Sequence, residues 1–196
     1  LERVLNAYEK MMLPGNPHRW GIVHVQISDL KQLQRMARLN IAAFVQPIFL
    51  NTDISIVTQR VAPELALSSY AFGTMERLGI PVAFSSDAPI ETMNVLHWIH
   101  CAVNRTPVGS EASPFTPQHA FDVPTAIDAC TVRGAYLSFE EHKKGRLAVG
   151  QWADLVVLSD DVFTIDPQRI QTITVELTMI DGTIVYSDSS SRIEIS

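Results

Sequence analysis

The sequence predicts an α/β fold organised on a parallel sheet, and three observations predict it. Short apolar runs end at Gln26, at Gln46 and near Asp87. Helically spaced apolar residues follow them, and the runs recur at the interval of repeated βα units. Such a sheet is either open and doubly wound or part of a barrel. Neither G-x-G-x-x-G nor G-x-x-x-x-G-K-[ST] follows any of the runs, so dinucleotide and nucleotide-phosphate binding have no support.

Leu1, Val4, Leu5, Tyr8 and Met11 or Met12 recur at spacings of three and four, which predicts an amphipathic helix over 1–12, stopped by Leu13-Pro14-Gly15-Asn16-Pro17. Residues 20–26 read as a strand. A helix over 27–38 follows, capped by Ser28 or Asp29, with Leu30, Leu33, Met36 and Ala37 on its apolar face. The near-continuous apolar run 41–47 suits a strand covered on both faces. A longer segment carrying Asn51 and Asp53 then leads to a helix around 70–78. Gly79-Ile80-Pro81 punctuates the start of the third strand, which ends in Ser85-Ser86-Asp87-Ala88-Pro89 before a helical pattern over 90–104.

Residues 106–123 contain Pro107, Gly109, Pro114 and Pro117 and read as a loop, expected to be mobile or to cover substrate. Residues 124–139 return to helix. After Lys143-Lys144-Gly145 the character changes: 154–158 is β-rich, 172–179 alternates, and Asp181-Gly182 makes a hairpin turn into 183–186. The expected organisation is an α/β body over 1–143, a small antiparallel β appendage over 144–186, and a frayed tail over 187–196.

Apolar residues make up 46% and charged residues 18% of the chain, proportions of a compact folded protein rather than a disordered one. Fifteen Lys and Arg against 21 Asp and Glu leave a net charge of -6, so a nucleic-acid partner is not expected, whereas a small polar substrate is compatible. No apolar run approaches the roughly 18 residues that span a bilayer, and no membrane association is expected. Cys101 and Cys130 have no C-x-x-C spacing, and a reduced, cytoplasmic setting is the simpler reading.

Parallel strands bring their ends to one edge, so His24, Gln46 and Asp87 are expected to emerge together. Histidine and aspartate at strand ends make either a metal site or a general acid/base pair. The competing readings are a core histidine and an aspartate that caps the next helix. His97 and His100 share a helix face, but H-x-x-H is a weak signal and a packed or surface pair is the expectation.

Together with Ala102-Val103-Asn104-Arg105, residues 19–26, Gln46-Pro47, Ser85-Ser86-Asp87-Ala88-Pro89 and 126–135 precede the segment Lys144-Gly145-Arg146-Leu147-Ala148-Val149-Gly150-Gln151-Trp152-Ala153-Asp154-Leu155-Val156-Val157-Leu158. In this order they resemble the C-terminal half of a metal-dependent amidohydrolase of the amidohydrolase 3, YtcJ-like branch. The resemblance implies the later part of a (β/α)8 TIM-like barrel followed by strands of a β-sandwich, and one or two divalent metals, usually zinc, in the barrel mouth. It implies metal-activated water attacking an amide-type carbon–nitrogen bond of a small-molecule substrate. By position, His24 matches the sixth-strand histidine, a metal ligand or carbonyl polariser. Asp87 matches the eighth-strand aspartate, which touches the metal and shuttles the proton. Ser85 or Ser86 is a candidate to hold that carboxylate, and Arg105 is a candidate for binding a polar substrate group, with a surface salt bridge as the competing reading.

Val23 stands where the resemblance has glutamate. The remaining metal ligands of the family fall upstream of Leu1, so the expectation is a piece of a longer enzyme, or a homo-oligomer whose copies cover the open barrel edges. A non-catalytic binding or regulatory module, or an inactive fragment, is the alternative.

Overall fold

The computed structural model describes residues 1–189. Helix α1 (Glu2–Met11) buries Leu5 and is held to α2 (Leu30–Arg38) by Arg35, which pairs with Glu2 at 2.5 Å and Glu9 at 2.8 Å. Asp29, not Ser28, caps α2: its carboxylate accepts from Gln32 N at 2.8 Å while Gln32 Oε1 accepts from Asp29 N, a reciprocal capping box. Between these helices lies β1 (Gly21–Val23), and β2 (Ala42–Val45) follows α2. Ala42, Ala43 and Val45 are buried, as a strand covered on both faces requires.

The segment after β2 is more helical than its sequence predicts. A 3-10 turn (Pro47–Phe49) runs into α3 (Leu50–Arg60), α4 (Pro63–Leu67) and α5 (Phe72–Arg77) before β3 (Val82–Phe84). The three strands form one parallel sheet in the order β1-β2-β3, with Val23 opposite Phe44 and Val45 opposite Phe84. Helices α6 (Val95–Asn104), α7 (Val123–Cys130) and α8 (Val132–Leu137) complete the body. The predicted helix over 124–139 is thus two, broken at Thr131, whose φ of -123° and ψ of -86° are not helical.

Phe84 stacks on Phe121 at 5.5 Å and Phe72 meets Phe121 edge-on at 6.3 Å, giving the core an aromatic centre. Gly73 makes one approach possible: a Cβ there would lie 2.7 Å from the Ala120 carbonyl oxygen, so only glycine lets α5 lie against the 3-10 helix Pro117–His119.

A second sheet, antiparallel in the order β4-β5-β6, comprises β4 (Leu155–Leu158), β5 (Val175–Ile180) and β6 (Thr183–Ser187). Its hairpin turn has φ of 47° at Asp181 and 74° at Gly182, the two positive values that a type I′ turn requires. Ser187 belongs to β6; the rest of the expected tail, from residue 190, lies outside the described residues. The connection between β4 and β5 packs into the main body: Val162, Ile170 and Ile173 join its core, and Asn104 donates to the Pro167 carbonyl at 2.8 Å. Among the described residues no helix is long and apolar enough to cross a membrane.

Two buried histidines belong to this framework. Asn104 Nδ2 approaches His100 Nδ1 at 3.0 Å as a donor, so His100 keeps a lone pair there, and its Nε2 faces Thr106 Oγ1 at 3.2 Å. His119 lies between Thr74 Oγ1 and the Leu67 carbonyl, each 3.0 Å away. Burial pushes both imidazoles below the ordinary histidine value. The unfolded chain then binds more protons than the folded one below about pH 6.5, so stability is complete above that value and falls as pH drops through it toward the folded values. Thermal unfolding is expected to show a Tm that declines from about pH 6.5 to about pH 5. A Tm unchanged over that window contradicts the assignment.

Candidate functional site

His24, Gln46 and Ser85 are each the first residue beyond a strand. The parallel ladder runs into them: His24 N donates to Phe44 O at 2.8 Å, and Ser85 N donates to Val45 O at 2.9 Å. Their side chains are joined in a row. His24 Nδ1 is 2.8 Å from Gln46 Oε1, and Gln46 Nε2 donates to Ser85 Oγ at 2.7 Å. The His24 ring also stacks on Phe49, with centroids 5.9 Å apart.

The backbone at this edge is strained. His24 has φ of 72° and Val25 has φ of 47°, and Val25 N closes a tight turn onto Val23 O at 3.0 Å. A β-branched residue in the left-handed region is a costly outlier, of the sort that marks functional sites. Asp87, two residues past Ser85, has φ of 58°. It does not cap α6, since Asn94 does so by accepting from Leu96 N at 3.1 Å. The Asp87 side chain is exposed, and its carboxylate has no hydrogen-bond or ion-pair partner among the described residues.

Neither serine holds that carboxylate. Ser85 Oγ accepts from Gln46, and Ser86 Oγ accepts from Ala88 N at 3.1 Å. The same edge carries a cluster that strand-end reasoning missed. Tyr70 Oη donates to Asp53 Oδ2, and Gln26 Nε2 donates to both Asp53 Oδ2 at 3.1 Å and Tyr70 Oη at 2.9 Å. Burial, with the Asp53 carboxylate next, pushes the Tyr70 phenol well above its ordinary value, so it stays protonated as a donor. The pairing of Gln26 and Tyr70 was hidden because Tyr70 follows two helices that the sequence does not announce.

Arg105 differs most from its sequence reading. It forms no surface salt bridge; it is fully buried, at φ of 60°, against the rings of Phe72 and Phe115 at 5.1 and 6.0 Å. Its Nε donates to Phe115 O at 3.0 Å, its Nη2 donates to Thr116 Oγ1 at 2.8 Å, and its Nη1 has no partner. Burial pushes the guanidinium down to about 9, still charged at neutral pH. The segment 106–123 is accordingly pinned from within, rather than free along its whole length.

His97 and His100 do not form a ligand pair, since both ring nitrogens of His100 face protein groups. Cys101 and Cys130 are free thiols, each pushed up to about 12 by burial and therefore unreactive. A cavity of about 580 Å³ opens beside Ile80 and Pro81, but this is where the chain approaches β3, the edge opposite His24. Arg133 and Glu141 in its wall are already committed to Glu76 and Arg19.

The family profile described as Amidohydrolase family, in its amidohydrolase 3 branch, matches residues 1–186. The chain belongs to the amidohydrolase family. YtcJ of Bacillus subtilis (strain 168), which bears an amidohydrolase name, is 35% identical over 189 residues, covering 96% of this chain and 36% of its own length. Protein LONG AFTER FAR-RED 3 of Arabidopsis thaliana is 30% identical over 161 residues, 81% of this chain and 27% of its own. The crystal structure of an uncharacterized metal-dependent hydrolase from Pyrococcus horikoshii OT3 superposes with a TM-score of 0.71 at 27% identity, over 85% of this chain and 33% of that one. This amidohydrolase chain therefore spans about a third of the length of such relatives, and its body has a TIM-barrel-type fold.

Proposed function

We propose that this amidohydrolase chain supplies the later strands of a longer metal-dependent hydrolase that cleaves an amide-type, non-peptide carbon–nitrogen bond in a small-molecule substrate. The observation that carries the reading is the shared sheet edge. His24 and Asp87 lie at the C-terminal ends of β1 and β3, and neither the His24 Nε2 nor the Asp87 carboxylate is engaged by another described residue.

These two groups fit a divalent metal as part of its ligand set. They do not complete it: a catalytic zinc takes about three protein ligands, and among the described residues no group of three or more His, Cys, Asp and Glu is placed to hold an ion. The remaining ligands would come from outside this chain. The outer edges of β1 and β3, each paired among the described residues only with β2, are where upstream strands or another copy would join. An adenosine deaminase from Xanthomonas campestris, similar in fold, has zinc bound in its crystal structure, and zinc is the metal we favour here.

When bound, the metal supplies Lewis acidity that acidifies water and polarises a carbonyl. His24 would donate its Nε2 lone pair. Asp87, held beyond β3 by the turn in which Ile90 N donates to its carbonyl at 2.8 Å, would take the water's proton and return it to the leaving nitrogen. Arg105 enters from within the fold, by holding Phe115 and Thr116 in place. The two free thiols suit a reducing compartment, and we place the enzyme in the cytoplasm.

Elemental analysis of the full-length protein is expected to find a divalent metal, with amide hydrolysis lost on chelation and restored by zinc. A folded protein that neither retains metal nor hydrolyses any amide would overturn the proposal in favour of a non-catalytic module.

A further inference from the structure

We propose that Gln46 is the positioning residue for His24, fixing the neutral imidazole with its proton on Nδ1 and its free lone pair on Nε2. The inference deepens the reading of His24 as a metal ligand, and it stands on the hydrogen-bond inventory around one buried amide.

Gln46 is 2% exposed, so both ends of its amide must be satisfied by protein. The two ends are told apart by their neighbours. One lies 3.2 Å from the Phe44 carbonyl oxygen, an atom that can only accept, so this end is the NH2 group. The same NH2 donates its second proton to Ser85 Oγ. The opposite end, facing His24 Nδ1 at 2.8 Å, is then the carbonyl oxygen, which can only accept. A hydrogen bond there requires a proton on Nδ1. Flipping the amide would set its carbonyl oxygen against the Phe44 carbonyl oxygen, two acceptors with no proton between them.

The amide therefore works as a polarity gauge across the sheet. It takes its orientation from the β2 backbone and from the residue after β3, and it imposes a tautomer on the residue after β1. Ring stacking on Phe49 limits the second freedom of the imidazole, its rotation. Hydrogen-bond partners of this kind commonly govern a ligating histidine, and their loss typically costs roughly 10–100-fold in metal affinity.

Histidine-specific 15N NMR of the full-length protein, with chelator present at about pH 8.5 where imidazoles are neutral, reads the tautomer directly. The His24 signals, assigned by their loss in His24→Ala, are expected to show a proton on Nδ1. Gln46→Glu, which keeps the acceptor toward Nδ1 but loses the donor toward Phe44 and Ser85, should retain the Nδ1 proton with lower stability. Gln46→Leu should release the ring to the Nε2-protonated form and weaken zinc binding roughly 10–100-fold in chelator competition. A wild-type His24 protonated on Nε2 would overturn the proposal, as would a folded Gln46→Leu protein unchanged in both tautomer and zinc affinity. Unchanged zinc affinity in His24→Ala would instead remove the ligand reading while leaving the tautomer assignment to its own test.

Discussion

Asp87→Asn in the full-length amidohydrolase is expected to lower kcat by about 10²–10⁴-fold, the usual contribution of a positioned general base, while metal content is retained. Asparagine keeps the shape of the side chain and one carbonyl oxygen as a donor to metal, but it cannot accept a proton. The backbone is no obstacle, because the φ of 58° at Asp87 is a conformation that Asn adopts more readily than most residues. Nor does the change remove a cap, since α6 is capped by Asn94. Activity with elemental analysis on one preparation separates the possibilities: lost turnover with metal present supports the proton role, and surviving turnover sinks it.

The largest effect on stability is expected at Arg105. Arg105→Ala removes two charge-assisted donors, leaves the partly buried Phe115 carbonyl without its Nε partner, and opens a void beside Phe72. Large-to-small core changes and lost buried hydrogen bonds set the scale at about 2–5 kcal/mol. A counter-effect runs the other way, because among the described residues no carboxylate pairs with this guanidinium and its removal relieves the desolvation of a buried charge. Arg105→Met, which keeps most of the volume without the charge, is therefore expected to be less destabilised than Arg105→Ala. Denaturant unfolding of the three proteins gives the order. An Arg105→Ala protein within about 0.5 kcal/mol of wild type, the range of an ordinary surface change, would contradict it.

The edge at which β1, β2 and β3 end together, beside His24, Gln46 and Ser85, was legible because parallel strands share one direction, and a polar residue ending an apolar run marks that end. The roles beyond it depended on partners far along the chain. Helix α3 was hidden although Leu50, Ile54 and Val57 recur at spacings of four and three, because Asn51, Thr52, Asp53 and Ser55 between them are residues that favour turns and caps. The predicted helix over 90–104 begins only at Val95, since the turn after Asp87 uses the intervening residues and Asn94 provides the cap. Arg105 read as a substrate-binding candidate or a surface salt bridge because its charge is local information, whereas the rings that bury it come from α5 and from the loop ten residues on. The amide of Gln46 is similar: its position was visible, but its hydrogen-bond polarity was set by Phe44 and Ser85.

The coincidence of His24, Gln46 and Ser85 with the first residue past each strand has a bearing on how such chains change in length. Strand register and site geometry are one variable here, because side chains alternate faces and a shift of one residue in β1, β2 or β3 turns a neighbour inward in place of the working group. Insertions and deletions that preserve the chemistry are thereby confined to the connections between these strands. Residues 111–114 of the long loop are exposed, so changes of length there leave the register of the three strands untouched.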